Sequence, residues 1–540
     1  MHLLSVEYGL VGPGRNGRGL GTFGENQMNV SRVLSVVALC GLMLFASATI
    51  VRAELPAGRL QAAMKELEVI ANKTLKDTGV PGIAIAIVHD DKVIYAKGFG
   101  VREAGKDQPI DADTVFQIAS MSKPLSSTVL ARLVGEGRIT WDDRVIDHDP
   151  GFRMYDPYVT RELRLRDLLC HRSGLPDHAG DFLEDLGFDK DQVLYRLRYQ
   201  PPDSSFRSHY AYNNFGYSEV GYAAAKAAGM DWPALAAKNL FEPLGMKSTS
   251  YRNADYVKAK NRALLHVKVD GKWVPKYTRQ PDAQAPAGGA SSTLNDLAKW
   301  VRLQLASGKF EGRELISADA LTDTHTPQMV TGFVPEIGRV SSYGLGWNVG
   351  VEREGRTFLR HSGEFALGVR TEVCLVPSEN LGIVVLSNAA PTGVPEGITE
   401  SLNDLVIYGK TQRDWVEFAN RMFDEEVKKE LGQLHDYSHE PAQTTAALKR
   451  SAYAGKYAND TFGEIEVAEA GGKLVLKMGP KPMKFDLAHW DRDVFIYQPV
   501  GEMAGGLSGV RFSMDADGRA ERVVLENLDV NGQGTFERVK

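Results

Sequence analysis

Apolar residues recur at helical spacing from Gly58 to Lys76 (Leu60, Met64, Leu67, Ile70, Ala71, Leu75), and the run stops at the breaker Gly79-Val-Pro-Gly82. Two apolar runs, Ile83 to Val88 and Lys92 to Gly98, then flank His89-Asp-Asp91, the pattern of a β-hairpin. Helical patterns follow at Pro124 to Glu136, Asp231 to Phe241 and Thr293 to Ala306. Strand-like runs return at Tyr343 to Val351, Thr357 to His361, Val369 to Val376 and Ile383 to Leu386, before a helix around Glu396 to Ile407. Strands at both ends of this stretch with helices between them predict that the two ends share one sheet. The fold class expected is α+β, an antiparallel sheet flanked by helices with a helical insert.

The pattern changes after an amphipathic stretch, Asp414 to Leu434, and a polar one, His435 to Thr445. Short alternating runs follow at Gly463 to Ala470, Lys473 to Met478, Lys484 to His489, Val494 to Pro499, Gly509 to Met514, Arg519 to Leu528 and Thr535 to Val539. Turn signals separate them: Gly471-Gly472, Asp491-Arg-Asp493, Asp515-Ala-Asp-Gly518 and Asn531-Gly532. About eight short strands predict a small all-β barrel or sandwich. At the other end, Met28 to Arg32 is a basic n-region, Val33 to Ala48 an apolar h-region, and Val51-Arg-Ala53 ends in small residues. This reads as a signal peptide over 28–53, cleaved near Ala53, behind a non-native extension over 1–27. The competing reading, a membrane anchor, needs roughly 20 apolar residues, and this run is shorter. The expected divisions are therefore 54–412 for the body, 413–446 for a helix and linker, and 447–540 for the β tail. The expected location is the periplasm or the exterior.

Composition adds bounds to this outline. The chain has 540 residues, 43% hydrophobic and 24% charged, enough for two or three globular domains with a large core. The net charge of −6 has no long single-sign runs, which argues against an electrostatic grip on nucleic acid or anionic lipid. Beyond the signal only Cys170 and Cys374 remain, far apart, so no disulfide framework is implied. There is no His-Glu-x-x-His, no C-x-x-C and no clustered ligand set, and no metal or cofactor is expected; His435 and His439, at i,i+4, lie in a polar stretch and read as solvated.

Candidate chemistry begins at Ser120-Met-Ser-Lys123. The i,i+3 spacing puts a hydroxyl and an amine on one face if a helix starts at Ser120. A serine needs an adjacent base, and a lysine serves as one only if its surroundings lower its pKa. Further along, Tyr212-Asn-Asn214 offers a phenol and an amide at i,i+2, and His361-Ser-Gly363 closes a strand-like run with a glycine that admits close backbone approach. The second and third patterns recur elsewhere, at Tyr251-Arg-Asn253, Tyr457-Ala-Asn459 and His178-Ala-Gly180, whereas Ser-x-x-Lys occurs once. Tyr212 also reads as one core tyrosine among Tyr210, Tyr217 and Tyr222.

The three motifs together resemble those of the penicillin-recognising serine hydrolases, in the branch similar to class C β-lactamases, D-aminopeptidases and related esterases. Further stretches agree in order: Asp167 to Pro176, Phe241 to Met246, Gly288-Gly289 with Thr293 to Asp296, Tyr343 to Trp347, and Val384 to Asn388. The tail resembles the lipocalin-like barrel appended to some members. The resemblance implies a β-lactamase/transpeptidase-like body in which Ser120 attacks a carbonyl and forms an acyl-enzyme. It implies that Lys123 and Tyr212 share the general base and acid roles, with the division between them open. Asn214 would bond Lys123 and a substrate amide, and the oxyanion would sit between the backbone N–H groups of Ser120 and Glu364, beside Gly363.

Two departures bear on the substrate. Relatives often carry a lysine where this chain has His361, and that lysine attracts a substrate carboxylate; a largely neutral imidazole attracts it less. Glu364 is expected to add negative charge near the same pocket, and Arg370 is the arginine able to restore the positive charge that the lysine would have supplied. The expected substrate is an ester, an amide or a D-amino-acid peptide, a small-molecule or peptide partner. The alternatives are a β-lactamase or DD-peptidase and a non-catalytic binding protein. An α/β-hydrolase is disfavoured because Gly-x-Ser-x-Gly is absent. The barrel is a candidate oligomer contact, and no stable membrane span is expected once the signal is removed.

Overall fold

The computed structural model describes residues 55–335, 338–352, 354–431, 435–439 and 441–539. The expected extension and signal peptide, 1–27 and 28–53, lie outside the described residues. Helix α1 (Arg59–Thr78) ends where Gly79 adopts φ 66°, a left-handed cap that glycine takes without a Cβ penalty. Strands β1 (Gly82–His89) and β2 (Lys92–Gly100) follow as the predicted hairpin. Asp90 and Asp91 both have positive φ, 51° and 58°, the two-residue turn whose twist matches the strands it joins.

After the helical insert the chain returns as β3 (Met329–Val334), β4 (Arg339–Tyr343), β5 (Asn348–Val351), β6 (Thr357–Phe365), β7 (Val369–Val376) and β8 (Leu381–Ser387). One antiparallel sheet results, in the order β2-β1-β8-β7-β6-β5-β4-β3. β1 pairs with β8 in the register Ile83↔Ser387 to His89↔Leu381, so the two ends of the body meet in one sheet, as second and third strands, as the patterning predicts. The continuous apolar run of β1 has a physical reason. Ile83, Ile85 and Ile87 pack on one face with α1 and with the later helix α2 (Val394–Tyr408), while Ala84, Ala86 and Val88 face the core of the insert. A strand covered on both faces has no polar side to alternate with.

Three local expectations are corrected. The predicted strand Tyr343 to Val351 is broken between β4 and β5, because Gly346 at φ 89° turns the chain against Tyr217 and Ser127, where a Cβ would collide. The helix over Asp231 to Phe241 is α-helical only over Trp232–Ala236 and widens into a π turn over Ala237–Phe241. β3 was not expected, since Met329–Val334 is an edge strand only half-buried and lacks a clean apolar face.

Beyond helix α3 (Trp415–Leu431) the tail is a closed antiparallel barrel of eight strands. They are β9 (Gly455–Asn459), β10 (Gly463–Ala470), β11 (Lys473–Met478), β12 (Met483–Asp491), β13 (Val494–Tyr497), β14 (Ser508–Met514), β15 (Ala520–Leu525) and β16 (Thr535–Arg538). β9 is the strand the sequence pattern missed, and it pairs with both β10 and β16 to close the ring. Aromatic rings fill the interior: Tyr453 lies 5.0 Å from Phe495 and 5.0 Å from Phe512, and Phe485 lies 5.3 Å from Tyr497. This is the packed state of a small barrel rather than an open cup.

Cys170 and Cys374 are both free and buried in the body. Among the described residues, no helix is long and apolar enough to cross a membrane, and no group of three or more His, Cys, Asp or Glu side chains is placed to hold a metal ion.

Candidate active site

Ser120 stands in a single 3-10 turn, Ala119–Met121, and the α-helix proper, α-helical over Ser122–Gly135, begins two residues later than the spacing suggested. Ala119 takes φ 45°, a left-handed conformation that costs a non-glycine residue free energy and persists only when the surroundings impose it. They do so through three hydrogen bonds, two with Ala290 and one from Thr371. Ile118 N donates to Ala290 O at 3.0 Å, Thr371 Oγ1 donates to Ile118 O at 3.0 Å, and Ala290 N donates to Ser122 Oγ at 2.9 Å. The turn therefore presents Ser120 against β6 and β7.

Lys123, on the first turn of that helix, reaches back to Ser120 Oγ at 3.2 Å. Its Nζ also donates to Asn214 Oδ1 at 2.6 Å and Ala287 O at 3.3 Å. The side chain has no exposure to solvent. Burial, opposed by the negative charge of Asp181, brings its pKa from the ordinary lysine range down to about 7. Tyr212 donates its hydroxyl hydrogen to Ser120 Oγ at 2.7 Å, and burial pushes the phenol well above its usual range. The serine oxygen thus has a protonated phenol on one side and a readily deprotonated amine on the other.

The Tyr-x-Asn spacing has a local cause. Asn213, extended at φ −138° and ψ 117°, caps the helix Asn214–Ala227 by accepting from Gly216 N, and Asn214 is the first helical residue. The cap turns the chain so that residues 212 and 214 both meet Lys123. The backbone of Tyr212 is pinned as well: its N–H donates to Asp177 Oδ1 and its carbonyl accepts from His178 N at 2.8 Å.

β6 supplies the third element. Gly363 pairs with Thr371, and a Cβ there would overlap Ile118 O and Thr371 Oγ1 and press on Met121 N, so only glycine lets the strand approach the Ser120 turn. His361 is buried, and burial together with the positive Lys123 lowers its pKa to about 3. Its Nδ1 lies 2.6 Å from Ser362 O and its Nε2 2.8 Å from Tyr343 Oη. A carbonyl only accepts, so Nδ1 carries the hydrogen and Nε2 takes the tyrosine's. Both nitrogens are occupied and the ring is neutral.

The expectation of uncompensated negative charge from Glu364 is corrected. Glu364 alternates to the opposite face of the sheet and pairs there with its cross-strand partner Arg370, whose guanidinium also binds Glu396 at 2.7 Å. That commitment also removes Arg370 as a source of positive charge for a substrate. Arg279 is likewise held, by Glu184 at 2.5 Å and Glu502 at 3.2 Å.

Several residues of the site were not singled out in the sequence. Asp181 accepts from Asn214 Nδ2 at 2.8 Å and contacts His178 Nδ1 at 2.8 Å. One amide hydrogen of Asn214 is therefore used inside the protein. Burial lowers the pKa of His178, but the bond and charge of Asp181 outweigh it, and the net shift is upward. His171, at φ 58°, accepts Asn213 N–H on Nδ1 at 3.1 Å and packs with its ring centre 4.7 Å from that of Tyr212, the planes tilted by 41°. The available signals were weak ones: His178-Ala-Gly180 reads as a chance copy of the third motif, and His171 and Tyr343 lie in stretches that fit by order alone.

With this geometry in place, comparisons with known proteins are informative. The family model described as Beta-lactamase matches residues 60–406, and one described as Domain of unknown function (DUF3471) matches residues 439–538. The chain is similar to the unguisins hydrolase ungD of Aspergillus violaceofuscus, 26% identical over 438 residues that span 74% of this chain and 76% of that one. It is similar to the D-alanyl-D-alanine-carboxypeptidase/endopeptidase AmpH of Escherichia coli, 24% identical over 67% of this chain and 93% of that one. The octameric penicillin-binding protein homologue from Pyrococcus abyssi shares the fold, with a TM-score of 0.56, 20% identity, and coverage of 88% of this chain and 99% of that one.

Proposed function

This chain belongs to the Beta-lactamase family, whose model matches most of its body, and from that premise we propose that it is an exported serine hydrolase that forms an acyl-enzyme at Ser120. The observation that carries the reading is the pair of contacts on Ser120 Oγ, from Tyr212 at 2.7 Å and Lys123 at 3.2 Å. Near pH 7 a substantial fraction of Lys123 is neutral, and its lone pair takes the serine proton as Oγ attacks a carbonyl carbon. The resulting ammonium stays bonded to Asn214 and Ala287. Tyr212, protonated at rest, gives its hydrogen to the leaving group as the tetrahedral intermediate collapses, and Lys123 returns a proton to the phenolate. A water molecule repeats the sequence in reverse to release the acid. The backbone N–H groups of Ser120 and Glu364 would hold the oxyanion.

The substrate class we infer is an ester, an amide or a D-amino-acid peptide rather than a β-lactam or a peptide ending in a carboxylate at this site. Neutral His361 has its one ring hydrogen committed to Ser362 O, and Arg370 and Arg279 are both committed to carboxylates. One relative named above is a D-alanyl-D-alanine-carboxypeptidase/endopeptidase, so the alternative is a direct competitor. A turnover panel of nitrocefin, p-nitrophenyl esters, D-amino-acid amides and D-Ala-D-Ala peptides separates the two. Ester or amide turnover well above nitrocefin is expected; the reverse order refutes the substrate assignment. A reactive phosphonate should label Ser120 and fail on Ser120→Ala, and labelling that persists in the variant refutes the mechanism. Export rests on the basic and apolar segments over 28–53.

A further inference from the structure

β6 is paired on both sides only at its start. β5 pairs with it over Thr357–Arg360, whereas β7 continues alongside to Phe365. Among the described residues, His361 to Phe365 therefore have no strand on the β5 side, and that edge passes the Ser120 turn. Such an edge takes an extended ligand by adding it as a strand. The direction of the ligand follows from the proton donor. Tyr212 stands 6.5 Å, ring to ring, from His361 at the upstream end of the edge, so the leaving group lies there. The acyl group runs the other way, past Glu364 and Phe365 toward Ala366.

At Ala366 the edge is already occupied. Its N–H donates to Glu502 Oε2 at 2.7 Å. Glu502 comes from the barrel, on the loop 498–507 between β13 and β14. The loop is seated by several independent contacts. Asp185 accepts from Glu502 N at 3.0 Å and from Met503 N at 2.8 Å. Gly501, at φ 102°, lies so close to the Asp185 carboxylate that a Cβ would overlap it. Arg279 bridges Glu502 and Glu184, all three side chains at least 85% buried, and its guanidinium lies 5.2 Å from the Phe365 ring centre.

We propose that Glu502 and its loop form an end wall that limits the substrate's acyl group to the space between Ser120 and Ala366. Ala366, just past the end of β6, follows Glu364 by two residue steps with Phe365 between them, about 7 Å at the strand rise, which accommodates an acyl group of about one residue. The barrel acts on specificity through this loop. The inference rests on the acyl-transfer reading above and adds the length of the acyl group to it.

The test uses the full chain and p-nitrophenyl esters from acetate to octanoate, with the rate of Ser120 labelling by alkyl phosphonates of the same lengths as a second readout. Wild type should lose at least tenfold in kcat/KM and in labelling rate between butanoyl and octanoyl. Glu502→Ala, checked for folding by thermal melt, should raise the octanoyl-to-acetyl ratio at least tenfold, and Glu502→Gln, which can still accept from Ala366, should stay near wild type. A wild-type profile flat in chain length overturns the end wall whether or not the variant folds, as does an unchanged ratio in a folded Glu502→Ala. Absence of both turnover and labelling at every length overturns the acyl-transfer reading itself, and the wall with it.

Discussion

Asp181 binds the amide of Asn214 at 2.8 Å while Asn214 binds Lys123 at 2.6 Å, so the carboxylate acts on the amine through one intervening side chain. Its negative charge holds the pKa of Lys123 up against the burial that lowers it. Asp181→Asn removes that charge, so the ammonium becomes less favourable and the pKa of Lys123 falls further below about 7. The rising limb of kcat/KM against pH should move to lower pH by about half to one unit, the size expected of one nearby charge. A limb that moves to higher pH contradicts this assignment.

The wild-type profile has a fixed sign. Lys123 must be neutral to accept the serine proton, so activity rises as pH passes about 7. Tyr212 must be protonated, and its raised pKa keeps it so across the accessible alkaline range. His361, at about 3, contributes no limb between pH 5 and 8. A single ascending limb followed by a plateau is the expected curve; a bell with a descending limb below pH 9 argues against Tyr212 as the acid.

Tyr212→Phe keeps the ring against His171 and removes the hydroxyl on Ser120. Loss of one positioned acid typically lowers kcat by roughly 10²–10⁴-fold. The loss should shrink for substrates with good leaving groups, such as p-nitrophenyl esters, relative to alkyl amides. Equal losses on both would assign Tyr212 a structural role.

Gly363→Ala places a methyl group against Ile118 O and Thr371 Oγ1, in a site where neither backbone can withdraw freely. Overpacking of this kind costs about 1–3 kcal/mol, measurable by denaturant unfolding. Activity should fall by more than stability suggests, because the displaced element is the turn that carries Ser120.

Processing makes a separate prediction. If 28–53 is a signal peptide, mass spectrometry of the exported protein should find its N-terminus at Glu54, with Leu55 and α1 intact behind it. Retention of residues 28–53 in the exported form would favour an anchor.

What the sequence made legible follows periodicity and spacing. β1 and β8 announced themselves as apolar runs because both of their faces are buried, and α1 by its single apolar stripe. β3, half-buried at the edge, and β9, short and interrupted by polar residues, carry no such pattern. Ser120, Lys123, Tyr212 and Asn214 could be picked out because each pair lies within one turn of chain. Asp181 reaches Asn214 across 33 positions, and Glu502 reaches Ala366 across 136, and no local pattern encodes such contacts. Glu364 was misjudged for a related reason. Its partner Arg370 was visible in the sequence, but the hairpin register that pairs them on the far face was not.

The two cysteines have one more implication. Cys170 and Cys374 are 0% and 2% exposed, and burial pushes each thiol up to about 12. Thiolate, the form that exchanges or oxidises, is therefore nearly absent at physiological pH. In the folded state neither thiol is poised to exchange or oxidise, so the folded body should keep its stability and its Ser120 chemistry when a thiol reductant is added.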